Sequence, residues 1–87
     1  MNETMKDKTR NFQLIIFGAT GFTGQIATKY IDYHYPNLKW AIAGRNKDKL
    51  EDLANLCKNN KPDIVIGNSD NKAELSHIAS ISKVVLS

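Results

Sequence analysis

The sequence predicts an α/β fold in which a parallel sheet is covered by helices on both faces. Short apolar runs alternate with segments whose apolar residues recur at helical spacing, and the connections between them are short. The first run, 14–17, is continuously apolar, which is typical of a strand buried on both faces of a parallel sheet. A glycine-rich turn and a helical pattern follow it directly. The resulting order, β-α-β-α-β-α-β with right-handed crossovers, predicts three helices and the strand order 3-2-1-4 of a partial doubly wound (Rossmann) sheet.

The turn after the first strand contains Gly18, Gly21 and Gly24 at intervals of three residues. We expect Gly18 to adopt a positive φ where the chain leaves the strand, and Gly24 to let the helix pack closely on that strand. Gly21 would let backbone N–H groups approach a diphosphate. The helix N-terminus adds unpaired N–H groups and the positive end of its dipole, so the turn predicts an anion-binding site.

The next three elements follow from local signals. The first helix is expected to end by Tyr35, because the residue before Pro36 disfavours helical geometry. The residues of its predicted sheet-facing stripe are Ile26, Ala27, Tyr30, Ile31 and His34. The second strand is expected over 38–43 and ends at Gly44, and Asn46 is a suitable N-cap for the second helix. The apolar positions of that helix repeat at i, i+3, i+4 and i+7 and are Leu50, Leu53, Ala54 and Cys57.

The last three elements are predicted in the same way. A third strand is expected over 63–67, and Asn71 with Glu74 resembles the capping box that starts a helix. The inner face of this third helix is assigned to Leu75, Ile78 and Ala79. A fourth strand is expected over 83–87, at an open sheet edge where unpaired backbone promotes association. We therefore expect 12–87 to be the N-terminal part of a Rossmann domain, truncated at its fourth strand, in a longer protein.

Composition excludes several classes of protein. The net charge of +3 comes from dispersed basic residues, so nucleic-acid binding is not expected. The single cysteine, Cys57, excludes an internal disulfide and a cysteine-cluster metal site, and suits a reducing, intracellular and cytoplasmic location. Residues 1–11 are charged, lack the apolar core of a signal peptide, and are expected to form a flexible tail. No apolar run approaches the roughly 20 residues that span a bilayer.

Arg45 follows the second strand, at the position where a carboxylate would bind the adenosine ribose of NAD. A guanidinium can instead bind the 2′-phosphate of NADP in a bidentate manner, with Lys47 as a second cation. The alternative is an ordinary exposed arginine. The cofactor predicted from this position is NADP(H).

The other candidate cofactor contacts lie in the glycine turn and after the third strand. The turn residues are Gly18, Ala19, Thr20, Gly21, Phe22, Thr23 and Gly24. Thr20 and Thr23 could bond phosphate oxygens or stabilise the turn, whereas the side chain of Phe22 is expected to pack against the protein, since it has no polar task there. Asp70 could reach the adenine ring or cap the third helix, and the sequence favours neither role.

No catalytic residue and no metal ligand set can be assigned from the sequence. Tyr35 and Lys39 have the Y-x-x-x-K spacing of short-chain dehydrogenases, but Pro36 breaks the helix that would align them. His34 and His77 lack partners that would indicate a catalytic triad or a metal site. These residues are therefore interpreted as packing or surface positions.

Two motifs, FGATGFTGQ at 17–25 and WAIAGRNKDKL at 40–50, resemble the start of the saccharopine dehydrogenase-like oxidoreductases. The resemblance runs from about Phe12 to the end of the chain and implies an NADP-binding Rossmann domain. The residues that it places on the cofactor are Gly18, Gly21, Gly24 and Arg45. It also implies that a larger catalytic and dimerising region follows and acts on a small-molecule or lipid-like substrate. Homodimer formation, and any association with lipid droplets or membranes, would then depend on that region.

The predicted function is therefore that of the NADP(H)-binding portion of an oxidoreductase, which positions the dinucleotide for hydride transfer and is inactive alone. One alternative is a non-catalytic module that senses NADP or binds a partner. Another is an extended short-chain dehydrogenase.

Overall fold

A computed structural model describes residues 12–68 and 70–86. The predicted tail at 1–11 and the final residue of the predicted fourth strand lie outside the described residues. The elements in chain order are β1 (Leu14–Phe17), α1 (Phe22–His34), β2 (Trp40–Gly44), α2 (Lys47–Leu56), β3 (Asp63–Ile66), α3 (Lys72–Ser80) and β4 (Val85–Leu86). The second and fourth strands each begin two residues later than the sequence predicted.

The four strands form one parallel sheet with the predicted order β3-β2-β1-β4. Ile15 of β1 pairs with Ala41 of β2 on one side and with Val85 of β4 on the other. Because β1 and β2 are central strands, their side chains are buried on both faces, which explains the uninterrupted apolar runs in the sequence.

Each face of the sheet has its own hydrophobic core. On one face, Leu14, Ile16 and Ile42 pack with the buried residues of α2, and Ala27 and Ile31 of α1 pack against them. The predicted inner positions of α2 are all buried there, namely Leu50, Leu53, Ala54 and Cys57. The other face is smaller, and its core contains Phe12, Ile15, Ala41, Ala43 and, from α3, Ile78. Helices thus cover both faces, as the predicted crossovers require.

The predicted sheet-facing stripe of α1 is wrong in part. Its buried residues are Thr28 and Asp32, whereas Ile26 and Tyr30 are 56% and 53% exposed. His34, predicted in the stripe, is also exposed. The cause is the close approach of the helix start, where a Cβ on Gly24 would lie 2.7 Å from Ala19 Cα. Because of this contact, the helix face that contains Gly24 and Thr28 lies against the sheet. A pattern of apolar residues cannot predict this rotation of the helix.

The inner face of α3 is also smaller than predicted. Ile78 is buried, but Leu75 is 39% exposed and Ala79 is exposed. The side chain of Ile78 lies over Gly67, where a Cβ would be 2.7 Å from Ile78 Cδ1. A single isoleucine therefore fills the space that the sequence assigned to three residues.

Asn residues cap the second and third helices. Asn46 Oδ1 accepts a hydrogen bond from the N–H of Lys49 (3.1 Å), and Asn71 Oδ1 accepts one from the N–H of Glu74 (3.1 Å). The predicted capping box is modified, because the Glu74 carboxylate accepts from the N–H of Asn68 (2.7 Å). This bond ties the first turn of α3 to the loop after β3.

At the N-terminal edge of the sheet, a buried carboxylate joins two connections. Asp32 Oδ1 accepts hydrogen bonds from the backbone N–H groups of Asn59 (3.0 Å) and Asn60 (2.6 Å). The Asn60 carbonyl in turn accepts from the indole N–H of Trp40 (3.0 Å). These bonds hold the end of α1, the start of β2 and the α2–β3 loop together.

Candidate functional site

The glycine turn is closed by its own hydrogen bonds. The N–H of Gly18 donates to the carbonyl of Ala43 (2.8 Å), and the N–H of Gly21 donates to the carbonyl of Gly18 (3.0 Å). The side-chain amide of Gln25 donates to the carbonyl of Thr20 (2.7 Å). Gly18 has a φ of +74°, as predicted for the residue that leaves the strand. The turn is thus held in one shape by backbone groups and by the first turn of α1.

The start of α1 has no side-chain cap. Its N-cap is Gly21, and within the described residues no acceptor is found for the backbone N–H groups of Phe22, Thr23 and Gly24. The starts of α2 and α3 differ, since an asparagine side chain caps each of them. Unpaired N–H groups and the positive end of a helix dipole together favour an anion. The start of α1 therefore offers free backbone donors, and anion binding at this turn remains a prediction.

A groove of about 890 Å³ lies at the C-terminal ends of the strands and is open along the turn. Arg45 after β2, Asp70 after β3 and Leu86 in β4 line it together with the turn. The turn residues on its surface are Gly18, Thr20, Gly21, Phe22, Thr23 and Gly24. The groove thus brings together residues that are up to 70 positions apart in sequence, from Ile16 to Leu86. This is the edge at which doubly wound sheets bind nucleotides.

Ala19 is the one turn residue of the predicted site that does not line the groove. It is fully buried in the hydrophobic core beneath the turn. Its backbone N–H lies 3.4 Å from the Ala43 carbonyl, next to the shorter bond from Gly18. Ala19 thus attaches the glycine turn to β2 and to the core beneath it.

Arg45 also lines a second, polar depression of about 650 Å³ at the start of α2. Thr20, Asn46, Lys47 and Lys49 line the same depression. Lys47, the predicted second cation, lies 3.9 Å from the carboxylate of Glu51 one turn along the helix. A contact at this distance between exposed side chains is weak and does not prevent Lys47 from turning toward an anion.

Asp70 does not cap α3. The cap is Asn71, whereas the Asp70 backbone N–H donates to Asn68 Oδ1 (3.0 Å). Asp70 lies on the groove instead, at the end of the third strand. The capping alternative is therefore excluded, and the contact with adenine remains a prediction.

The expected packing of Phe22 is wrong. Its side chain is 83% exposed and lies on the groove, at the first position of α1. The ring cannot bury itself beneath the helix, because the close contact at Gly24 directs a different face of α1 toward the sheet. An exposed aromatic ring thus stands beside the candidate diphosphate site.

Leu86, Asn46 and Lys49 line these surfaces but were not predicted as site residues. Leu86 could have been found from its place near the end of the fourth strand, which must adjoin the first strand in a 3-2-1-4 sheet. Asn46 directly follows Arg45, but the sequence indicated a helix cap at this position, and Lys49 lies one turn further along the chain. Both line the polar depression together with Thr20.

The residues dismissed as catalytic lie elsewhere. Tyr35 and Lys39 are in the connection between α1 and β2, at the opposite edge of the sheet from the groove. Burial raises the pKa of the Cys57 thiol to about 11, and the nearby charge of Asp32 adds to the effect, so the thiol is protonated at neutral pH. Within 12–68 and 70–86, no cluster of three potential metal ligands occurs, and no helix is long and apolar enough to cross a membrane.

Known proteins similar to this chain include several oxidoreductases. The chain is 33% identical over 96 residues to a rat protein named saccharopine dehydrogenase-like oxidoreductase, and 32% identical to the human protein of that name. It is 26% identical over 84 residues to a trans-acting enoyl reductase of Mycobacterium leprae. These alignments cover 94% of this chain, but only 22% of each mammalian protein and 20% of the bacterial one.

The chain thus spans about a fifth of the length of these relatives. No family model and no solved structure matches it. The motifs at 17–25 and 40–50, which predicted the resemblance, lie within the parallel sheet and the groove at its edge. The chain is therefore similar, over most of its length, to a part of the saccharopine dehydrogenase-like oxidoreductases.

Proposed function

We propose that this chain is the NADP(H)-binding portion of an oxidoreductase and that it holds the dinucleotide for hydride transfer. The observation that carries the proposal is the combination of an uncapped helix start with Arg45 on one continuous groove. Similarity to oxidoreductases over 94% of the chain supports it. The substrate and activity of the intact protein, and its assembly into a homodimer, belong to this proposal as well.

The diphosphate would lie against the start of α1. The N–H groups of Phe22, Thr23 and Gly24 point out of the helix and lack acceptors in the described structure. Each can donate to a phosphate oxygen, and the helix dipole favours the negative charge. The Thr20 and Thr23 hydroxyls lie on the groove and would add donors from the side.

The adenosine half would extend toward β2 and β3. Arg45 lies between the groove and the polar depression at the start of α2, where its guanidinium can bind a 2′-phosphate. Lys47 and Lys49 add positive charge there, while Asp48 in the same depression subtracts one. Asp70 at the far side of the groove would accept a hydrogen bond from the adenine amino group. Bound NADPH supplies the hydride, and the residues of this chain bind and orient it.

Replacing Arg45 tests the proposal. Arg45→Ala should weaken NADPH binding by about 1.5 to 3 kcal/mol, because a charged hydrogen-bond donor is lost, and should leave NADH binding nearly unchanged. Binding is followed by two-dimensional NMR titration, which also detects the weak complexes expected of a chain that holds only part of a cleft. Lys58→Ala is the matched control, since it removes an exposed positive charge outside the groove.

Two results would contradict the proposal. Equal affinity of the unmodified chain for NADH and NADPH would remove the assignment of NADP. Absence of binding for both dinucleotides at millimolar concentration, with the fold intact by NMR, would remove the assignment of a dinucleotide site.

A further inference from the structure

Phe22 has the most exposed large apolar side chain among the described residues. It is 83% exposed, although it stands at the first position of a helix whose opposite face is packed on the sheet. Its backbone N–H is one of the unpaired donors at the start of α1, so the ring is attached directly beside the candidate diphosphate site. A dinucleotide bound at this turn would therefore lie within reach of the ring.

The two halves of the candidate site differ in chemistry. Around Arg45, the depression is lined by Thr20 and by polar or charged residues of the α2 start, and Phe22 is not among them. The groove also has an apolar part, which is lined by Phe22, Phe17 and Leu86. Leu86 belongs to β4, which pairs with β1 on the side opposite β2. The polar half thus suits the phosphorylated adenosine, and the apolar half lies where the chain of the dinucleotide must continue beyond its diphosphate.

We propose that the side chain of Phe22 is the contact surface for the nicotinamide riboside half of the bound dinucleotide. The inference rests on the proposed function and extends it by assigning a ligand moiety to a side chain. Aromatic rings pack well on other flat rings, in offset or edge-to-face geometry, and this contact would also exclude water from one side of the nicotinamide ring. Phe22 would be a binding and positioning residue and would take no part in proton transfer.

The exposure of Phe22 has an alternative explanation, which a control variant on the same helix can test. Ile26, Tyr30 and Tyr33 are also exposed and follow Phe22 along the same helix. A further segment of a longer protein could cover all of them together. Tyr33 is 71% exposed and does not line the groove, so it matches Phe22 in exposure and helix but not in position.

The experiment compares two ligands and two variants in the 87-residue chain. The ligands are NADPH and adenosine 2′,5′-bisphosphate, which has the same phosphorylated adenosine but lacks the nicotinamide riboside and the phosphate attached to it. Phe22→Ala should weaken NADPH binding by about two- to tenfold and leave binding of the bisphosphate unchanged, because only the first ligand reaches the ring. Phe22→Tyr should restore NADPH affinity, and Tyr33→Ala should change neither ligand. Thermal unfolding of each variant serves as the folding control.

The possible outcomes distinguish this inference from the proposed function. If Phe22→Ala leaves NADPH binding unchanged while Arg45→Ala weakens both ligands, the dinucleotide site stands and the role of Phe22 is refuted. If Phe22→Ala weakens both ligands equally, Phe22 supports the turn and does not contact the nicotinamide half. If neither ligand binds the unmodified chain, both proposals fail.

Discussion

The two edges of the sheet use their polar groups in opposite ways. At the N-terminal edge, Asp32 is 7% exposed and binds the backbone of the α2–β3 loop. The side-chain amide of Asn60 donates to the carbonyls of Tyr35 (2.8 Å) and Leu38 (2.7 Å), which closes the turn after α1. These donors and acceptors form hydrogen bonds with each other, so the polar groups named here are bound within the protein.

At the C-terminal edge, the start of α1 is the one described helix start without a side-chain cap. Asparagines cap α2 and α3, whereas α1 begins at Gly21 without a cap. Arg45 and Asp70 are exposed at the same edge. The difference teaches that the polar groups of the first edge bind the protein itself, whereas those of the second are free for the proposed ligand. Substitutions of polar side chains at the first edge should therefore change the free energy of unfolding, and those at the second should change binding.

Gly24→Ala is expected to have the largest effect on stability, because Gly24 packs directly on the backbone of the glycine turn. The new Cβ would lie 2.5 Å from the Gly18 carbonyl oxygen and 2.7 Å from Ala19 Cα, and neither backbone atom can move without displacing β1. We expect a loss of about 3 kcal/mol or more in the free energy of unfolding, measured by urea denaturation. Gly44→Ala is the control, since its Cβ would meet only Leu50 at 3.7 Å. Similar stability of the two variants would show that α1 does not depend on this contact.

Asp32→Ala should be the next most damaging change. It leaves the partly buried N–H groups of Asn59 and Asn60 without their acceptor and should cost about 3 kcal/mol of unfolding free energy. Asp52→Ala removes an exposed carboxylate from α2 and should change stability by less than about 0.5 kcal/mol. Equal effects of the two substitutions would mean that the N-terminal edge is not held by its polar groups.

The pH dependence of stability should reflect the burial of the Cys57 thiol near Asp32. Burial, assisted by the charge of Asp32, raises the pKa of this thiol from 9.0 to about 11 in the folded chain. Between these values the folded state keeps a proton that the unfolded state loses, so stability falls as pH rises from about 9 to 11. The loss should reach about 2 kcal/mol and should be absent in Cys57→Ala, as measured by urea denaturation at each pH. Identical pH profiles of the two proteins would refute it.

Gly21→Ala should have the smallest effect on stability and should still impair binding. Gly21 has φ −71° and ψ 170°, which any residue can adopt, and its Cβ would lie 3.4 Å from the Gly18 oxygen. We expect a change of less than about 0.5 kcal/mol in unfolding free energy. NADPH binding in the NMR titration should weaken by about 1 to 3 kcal/mol, because the methyl group would crowd the diphosphate. Unchanged binding would place the diphosphate away from this residue.

Much of the fold was predictable because its signals are local. The apolar run at 14–17, the glycine spacing and the alternation of strand and helix patterns predicted the parallel sheet and its order, which the structure confirms. The caps at Asn46 and Asn71 were also predictable, because an N-cap bonds to an N–H three residues away. The homology to saccharopine dehydrogenase-like oxidoreductases was visible in two short motifs and is confirmed by the comparisons.

The rest depended on contacts that no spacing of residue types in the sequence predicts. The rotation of α1 follows from the contact between Gly24 and Ala19, and it exposes Phe22 where the residue type predicted packing. The hydrogen bond from the backbone N–H of Asn60 to Asp32 joins residues 28 positions apart, and no periodic pattern in the sequence predicts it.

The sequence by itself thus determined the elements, their order and the location of the glycine turn with its uncapped helix start, because these depend on backbone geometry and on the spacing of apolar residues. Only the tertiary structure decided which side chains line the groove and which form hydrogen bonds at the opposite edge of the sheet. Side-chain placement of this kind depends on how closely helices approach the sheet, and that distance is set by packing between segments that are remote in sequence.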